Sequence, residues 1–153
     1  MLDSVDIKIL KLLEENARMN ASVIGEKISM SVSAVIERIR KLENSGIIKK
    51  YTVLVDYKKI DMDVSAYISI CMEDPKHMNA FIKAIQNIPE ILECHYIAGD
   101  YDFLLKVLTK STGTLAELLN KIKSLPGASL TRTLVVLETH KDGRIVLDEG
   151  GIK

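Results

Sequence analysis

The stretch Met78-Asn79-Ala80-Phe81-Ile82-Lys83-Ala84-Ile85-Gln86-Asn87-Ile88-Pro89 sets the architecture of the second half of the chain. It returns 37 residues later as Leu115-Ala116-Glu117-Leu118-Leu119-Asn120-Lys121-Ile122-Lys123-Ser124-Leu125-Pro126. Met78, Phe81, Ile82 and Ile85 form one helical stripe, and the same offset gives Leu115, Leu118, Leu119 and Ile122. Pro89 falls on Pro126, each behind an apolar residue, so both helices are closed in the same way. The strands obey the same offset: Ala66, Ile68 and Ile70 fall on Phe103, Leu105 and Val107 ahead of each helix. Residues 91–98 and 128–137 supply a strand behind each. Two βαβ halves of this size predict a ferredoxin-like βαββαβ domain of the α+β class, one four-stranded antiparallel sheet with two helices on one face.

That arrangement leaves the other sheet face bare. On the first strand it carries Ser65, Tyr67, Ser69 and Cys71; on the last it carries either Thr131, Thr133 and Val135 or Leu134 and Val136. Such a mixed face is too apolar for water, and the same face of a second copy would cover it about a two-fold axis. The 153 residues also divide into halves small enough for a marginal core. A homodimer is expected.

Working back toward the N-terminus, the first half reads as three helices and a short strand. Asp3 or Ser4 caps a helix with Ile9, Leu10 and Leu13 on its inner face. Asn20 caps a short second helix with Ile24 and Ile28, and Ser31 a third expected to bury Val32, Val35, Ile36, Ile39 and Leu42. Gly46 follows as a C-terminal cap residue. The β-branched run at 51–55 reads as a strand, and the polar segment around 57–63 as a hinge. The second and third helices join through Ser29-Met30-Ser31, the short corner of a helix-turn-helix whose second member enters the major groove. On that third helix Ser33, Ala34, Glu37, Arg38, Arg40 and Lys41 are the candidate DNA contacts. Ser31 is placed to hold a phosphate at the helix start, and Lys49 and Lys50 to follow the backbone like a wing. Residues 1–60 carry 11 Lys/Arg against 8 Asp/Glu and residues 61–153 carry 10 against 13, so a neutral chain hides a basic front half.

Other chemistry finds little support. No run approaches the roughly 18 apolar residues of a membrane span, and the acidic, periodic start is not a signal peptide, so a cytoplasmic protein is expected. Cys71 and Cys94 read as free thiols, and with His77, His95 and His140 they lack the paired spacing of a zinc site. There is no glycine-rich phosphate loop, no nucleophile elbow and no recognisable acid/base pair. The expectation is therefore a protein that is not an enzyme and has no metal or cofactor. Gly99-Asp100-Tyr101-Asp102, between the second and third strands, has the composition of a tight hairpin.

The string Leu2-Asp3-Ser4-Val5-Asp6-Ile7-Lys8-Ile9-Leu10 resembles the opening of the Lrp/AsnC (feast/famine) family of regulators. So does Ser31-Val32-Ser33-Ala34-Val35-Ile36-Glu37-Arg38-Ile39-Arg40-Lys41-Leu42-Glu43 followed by Gly46-Ile47-Ile48. Glu93-Cys94, Gly99-Asp100-Tyr101-Asp102 and Leu125-Pro126-Gly127 are similar to that family's ligand-sensing domain. The resemblance runs from residue 2 to about 140. It departs at Ile60-Asp61-Met62-Asp63, where the family commonly has a glycine, and in an extra tail with a turn at Asp142-Gly143 and a strand at 144–147.

The residues and the resemblance together divide the chain into a winged helix-turn-helix domain at 1–56 (the motif itself at about 22–41), a hinge at 57–63, a sensing and oligomerisation domain at 64–140 and a tail at 141–153. The resemblance implies binding of double-stranded promoter DNA, a homodimer that assembles into tetramers or octamers, and response to an amino acid or similar metabolite at a subunit interface. In that reading Gly99 lets the ligand approach the backbone, Asp100 or Asp102 holds its α-amino group within the 99–102 loop that includes Tyr101, and Thr131 and Thr133 add hydroxyl contacts. Two alternatives from other classes stay open on the residues alone. One is a DNA-architectural protein of low sequence preference; the other is an amino-acid-sensing regulatory subunit of a metabolic enzyme.

Overall fold

The structure is a computed structural model that describes residues 2–142. Met1 and 143–153, including the expected tail strand at 144–147, lie outside the described residues. The described chain forms two compact units, residues 2–54 and Val55–Lys141.

The first unit is built from α1 (Ser4–Glu15), α2 (Ala21–Ile28) and α3 (Val32–Asn44). Each starts on a side chain that satisfies backbone N–H groups otherwise left without partners. Asp3 accepts from Val5 and Asp6 while Asp6 accepts from the Asp3 N–H, a complete capping box. Asn20 accepts from Val23, and Ser31 from Ala34. α3 stops at Gly46, whose φ of +73° suits glycine; its N–H donates to Glu43 O, and Ile48 N–H to Leu42 O. Ile9, Leu13, Ile24, Val35 and Leu42 form the core between the helices.

The corner between α2 and α3 is tight. Ser29 takes a left-handed φ of +57°, and Met30 N–H donates to Gly25 O at 2.9 Å. A Cβ on Gly25 would sit 2.6 Å from Met30 O. The absent side chain is therefore what lets the chain turn from one helix into the next.

Two expectations for this unit are corrected. Residues 51–55 form no strand: they find no ladder partner among the described residues, and Val53 and Leu54 are each 77% exposed. High β propensity is not sufficient where no second strand supplies the hydrogen bonds. Val32 and Ile36, expected in the core, are 45% and 51% exposed. Ile36 lies about 100° round the helix from Val35, at the flank of the buried stripe.

In the second unit a 3-10 turn at Tyr57–Ile60, capped by Asp56, leads into β1 (Val64–Met72). Then follow α4 (Met78–Ile85), β2 (Ile91–Tyr96), β3 (Phe103–Thr109), α5 (Thr112–Lys123) and β4 (Ala128–Val135). The sheet order is β2-β3-β1-β4, with β2–β3, β3–β1 and β1–β4 all antiparallel. Ile68 lies opposite Leu105 at the middle of the central pair. These are also the repeat equivalents at offset 37, so the pseudo-two-fold relation between the halves passes between them. Phe81 and Ile85 from α4 and Leu115, Leu118 and Ile122 from α5 cover Ala66, Ile68, Ile70, Phe103, Leu105 and Val107. Burial of each large side chain there contributes about 1.5–3 kcal/mol.

Register settles which face of β4 is bare. Thr131 pairs with Ile70, Thr133 with Ile68 and Val135 with Ala66, so these three share the helix-covered side. Leu134 opposes Tyr67 and Arg132 opposes Ser69 on the open side, where Leu130 and Leu134 are 58% and 52% exposed.

Substituting Gly25→Ala is expected to destabilise the protein by about 1–3 kcal/mol, the usual range for forcing an atom into occupied space. A lowered urea midpoint with an unchanged slope is the checking measurement.

Candidate functional site

The surface of α3 divides by period. Val35 and Leu42 are buried, while Ser31, Ser33, Glu37, Arg40 and Lys41 are exposed and Ala34 is half-buried. The small residues of the first turn leave that end of the helix narrow. Ser31 Oγ accepts from Ala34 N–H at 3.3 Å and lies 3.3 Å from Ser33 Oγ, so its hydroxyl already serves the cap. Lys41 Nζ and Glu37 Oε1 stand 3.9 Å apart on the exposed face, a loose pair that a phosphate can displace. Val32 and Ile36 join this face and give it an apolar component. In a major groove, such methyl-bearing side chains match the C5-methyl of thymine, Glu37 matches the cytosine amino group and Arg40 the guanine edge.

Arg38 does not belong with these. Its Nη1 lies 2.7 Å from Asp3 Oδ2 and 2.7 Å from Asp6 Oδ1, so its charge is met inside the protein. Its side chain is 29% exposed, and both of its ionic partners belong to the start of α1. Beyond α3, Lys49 and Lys50 are exposed in an extended segment. The segment is anchored at Tyr51, whose hydroxyl donates to Glu43 Oε1 at 2.8 Å.

The loop at 97–102 is tied to the end of β1. Asp102 N–H donates to Ile70 O at 3.0 Å, Met72 N–H donates to Asp102 Oδ2 at 2.7 Å, and Ile97 N–H donates to Asp102 O at 2.9 Å. Cys71 Sγ–H reaches Asp100 O at 3.4 Å. Gly99 holds a φ of +145°, which favours glycine. Of the two carboxylates expected to receive an α-amino group, Asp102 is engaged in holding the hairpin and Asp100 is exposed. Tyr101 is half-buried. Thr131 and Thr133 sit on the helix-covered side of β4, so the expected hydroxyl contacts do not come from the open sheet face. No helix among the described residues is long and apolar enough to cross a membrane, and no cluster of three His, Cys, Asp or Glu among them could hold a metal.

Family models match both parts of the chain: a winged helix-turn-helix DNA-binding model over residues 2–49 and the Lrp/AsnC ligand binding domain over residues 65–146. The HTH-type transcriptional regulator FL11 of Pyrococcus horikoshii is 35% identical over 92% of this chain and 93% of its own. The chain belongs to the Lrp/AsnC family of transcriptional regulators. AsnC of Escherichia coli superposes on this Lrp/AsnC chain with a TM-score of 0.89 at 27% identity, covering 95% of this chain and 98% of that one. A transcriptional regulator of Neisseria meningitidis solved as its L-methionine complex gives a TM-score of 0.88 at 26% identity, over 93% and 94%. The protein is thus an HTH-type transcriptional regulator of the Lrp/AsnC type, with a winged helix-turn-helix followed by an α+β domain.

Sequence reasoning missed the surroundings of two residues of α3 in this Lrp/AsnC chain. The outward placement of Ile36 was legible from a strict helical wheel. The partners of Arg38 were not, because Asp3 and Asp6 are 35 and 32 positions away and read locally as cap residues.

Burial and the neighbouring Glu43 carboxylate push the Tyr51 phenol from its ordinary value of 10.0 up to about 12. A raised folded value means that this hydrogen bond stabilises fully below pH 10 and ceases to do so as pH rises through about 12. Ultraviolet titration is expected to show a late-ionising phenol that is lost in Tyr51→Phe.

Proposed function

We propose that this regulator binds specific double-stranded DNA sites as a homodimer or a higher assembly of dimers, with an amino acid or related metabolite setting its output. It acts in the cytoplasm and catalyses no reaction of its own. The observation that carries the DNA reading is the division of α3: Val35 and Leu42 are buried, whereas Val32, Ser33, Ile36, Glu37, Arg40 and Lys41 face outward. This is what a helix needs if it is to be held rigidly from behind while meeting base edges in front. Lys49, Lys50 and the start of α3 at Ser31 add phosphate contacts that set register without reading sequence.

The open sheet face supports the dimer. Tyr67, Leu130 and Leu134 are exposed together on it, and a two-fold copy covers both faces in one step. The effector reading rests on the Gly99–Asp102 hairpin, whose glycine leaves its backbone accessible and whose Asp100 carboxylate is available for an ammonium group. The relative from Neisseria meningitidis was solved with L-methionine, which makes an amino acid the first ligand class to try. In this reading Asp102 acts on the backbone of the loop, and Asp100 rather than Asp102 meets the ligand.

Selection of bound fragments from genomic or random DNA, with and without each amino acid, tests the whole proposal. Enrichment of a two-fold symmetric site that shifts with one amino acid is expected; no enrichment of any sequence overturns it. With the enriched site, Arg40→Ala and Lys41→Ala are each expected to weaken binding. A side chain that neutralises one phosphate adds about 0.9 to the slope of log K against log salt, and its removal takes that amount away. Retained affinity and an unchanged slope in the double variant would remove α3 from the interface.

A further inference from the structure

Arg38 sits halfway along α3, beside the buried Val35 and Leu42 and on the opposite side from Ser33 and Arg40. Its two partners belong to the start of α1, and the oxygens are divided without conflict. Asp3 Oδ1 accepts from Val5 and Asp6 N–H at 2.9 and 2.8 Å, leaving Oδ2 for Arg38 at 2.7 Å. Asp6 Oδ2 accepts from Asp3 N–H at 3.2 Å, leaving Oδ1 for Arg38 at 2.7 Å. One capping box and one guanidinium thus use all four carboxylate oxygens. Hydrogen bonding to Asp6 N–H and then to Arg38 holds the Asp3 carboxyl below its ordinary value, and the bonds to Asp3 and Asp6 raise the guanidinium.

Apolar contacts fix where α3 lies but hold its rotation about its own axis weakly, because burial carries no direction. At the helix's outer radius of about 5–6 Å, a roll of about 10° moves a side-chain tip by about 1 Å. That exceeds the roughly 0.5 Å tolerance of a working recognition constellation. A charge-assisted pair of bonds to the capped start of α1 supplies the missing direction.

We propose that Arg38 is a positioning residue for DNA recognition: through Asp3 and Asp6 it sets the roll of α3, and with it which of Ser33, Ile36, Glu37 and Arg40 meet which base. The proposal rests on α3 being the DNA-reading helix. It assigns a cation on the recognition helix to the protein itself and makes two acidic residues necessary for binding a polyanion.

The sign of that last effect makes the test sharp. The full-length protein, Arg38→Gln, Asp6→Asn and the double variant are titrated, by fluorescence anisotropy across a salt series, with the site enriched from genomic DNA and with a scrambled duplex. Asparagine can still accept the Asp3 N–H, so Asp6→Asn keeps the helix cap and serves if Arg38→Gln does not fold. Melting by circular dichroism confirms that each variant is folded at the assay temperature. Arg38→Gln is expected to lose about 10- to 100-fold in affinity for the enriched site, the scale of one mismatched base pair, with the scrambled duplex little affected. Its salt slope stays that of the wild type. Asp6→Asn is expected to weaken specific binding although it removes a negative charge, and the double variant to be no weaker than Arg38→Gln alone.

A purely structural role would lower the melting temperature and leave the ratio of specific to scrambled binding in the folded protein unchanged, which overturns the proposal. So does a slope reduced by about 0.9 in Arg38→Gln, the mark of a phosphate contact. Tighter binding by Asp6→Asn overturns it as well. If the wild type enriches no sequence, the DNA reading itself fails and this inference falls with it, before any variant is made.

Discussion

Ile68 and Leu105 face each other at the centre of the four-stranded sheet, and the second unit depends on covering that pair from one side. Two helices from a repeated βαβ segment do so, with Phe81, Leu118 and Ile122 fully or almost fully buried. Both crossovers fall on the same face, so neither helix of this unit covers the opposite face. The same constraint carries the β2–β3 hairpin to the end of the sheet where β1 finishes, and there the Ile70 and Met72 backbone holds it. An open apolar sheet face and a fixed hairpin at its end are therefore two results of one packing arrangement.

The first unit meets a different demand. A reading helix must offer polar and apolar groups to DNA on one side, so it has only a narrow stripe left for its own core. Val35 and Leu42 provide that stripe, with Ile24 and Ile9 behind it. Gly25 lets α2 approach the corner closely enough for the stripe to seat. The Arg38 bonds to Asp3 and Asp6 add direction where burial alone has none. Exposure of Val32 and Ile36 follows from this division, because the stripe is too narrow to take them.

In the hairpin, one of the two aspartate carboxylates is bonded to the backbone of the neighbouring strand. Asp102 accepts the Met72 N–H at 2.7 Å, which shapes the loop and leaves Asp100 exposed beside Gly99. The two aspartates are close neighbours of the same type, and only the placement of β1 separates their surroundings.

Periodicity and local chemistry acted within a few residues of themselves, and for that reason they were readable from the sequence. The offset-37 repeat stated the βαββαβ order because each copy must bury its own stripe. Asp3, Asn20, Ser31 and Gly46 marked helix ends because caps bond to neighbours two to four positions away. The resemblance to Lrp/AsnC regulators lay in strings of the same local kind. Three matters were decided only by the fold. Strand register turned Thr131 and Thr133 to the helix side, since a shift of one residue exchanges the faces. The 51–55 run has no ladder partner among the described residues, since a strand exists only where another chain segment pairs with it. And Arg38 was paired with Asp3 and Asp6, because a charge on a folded surface goes to whichever opposite charge tertiary packing brings within reach.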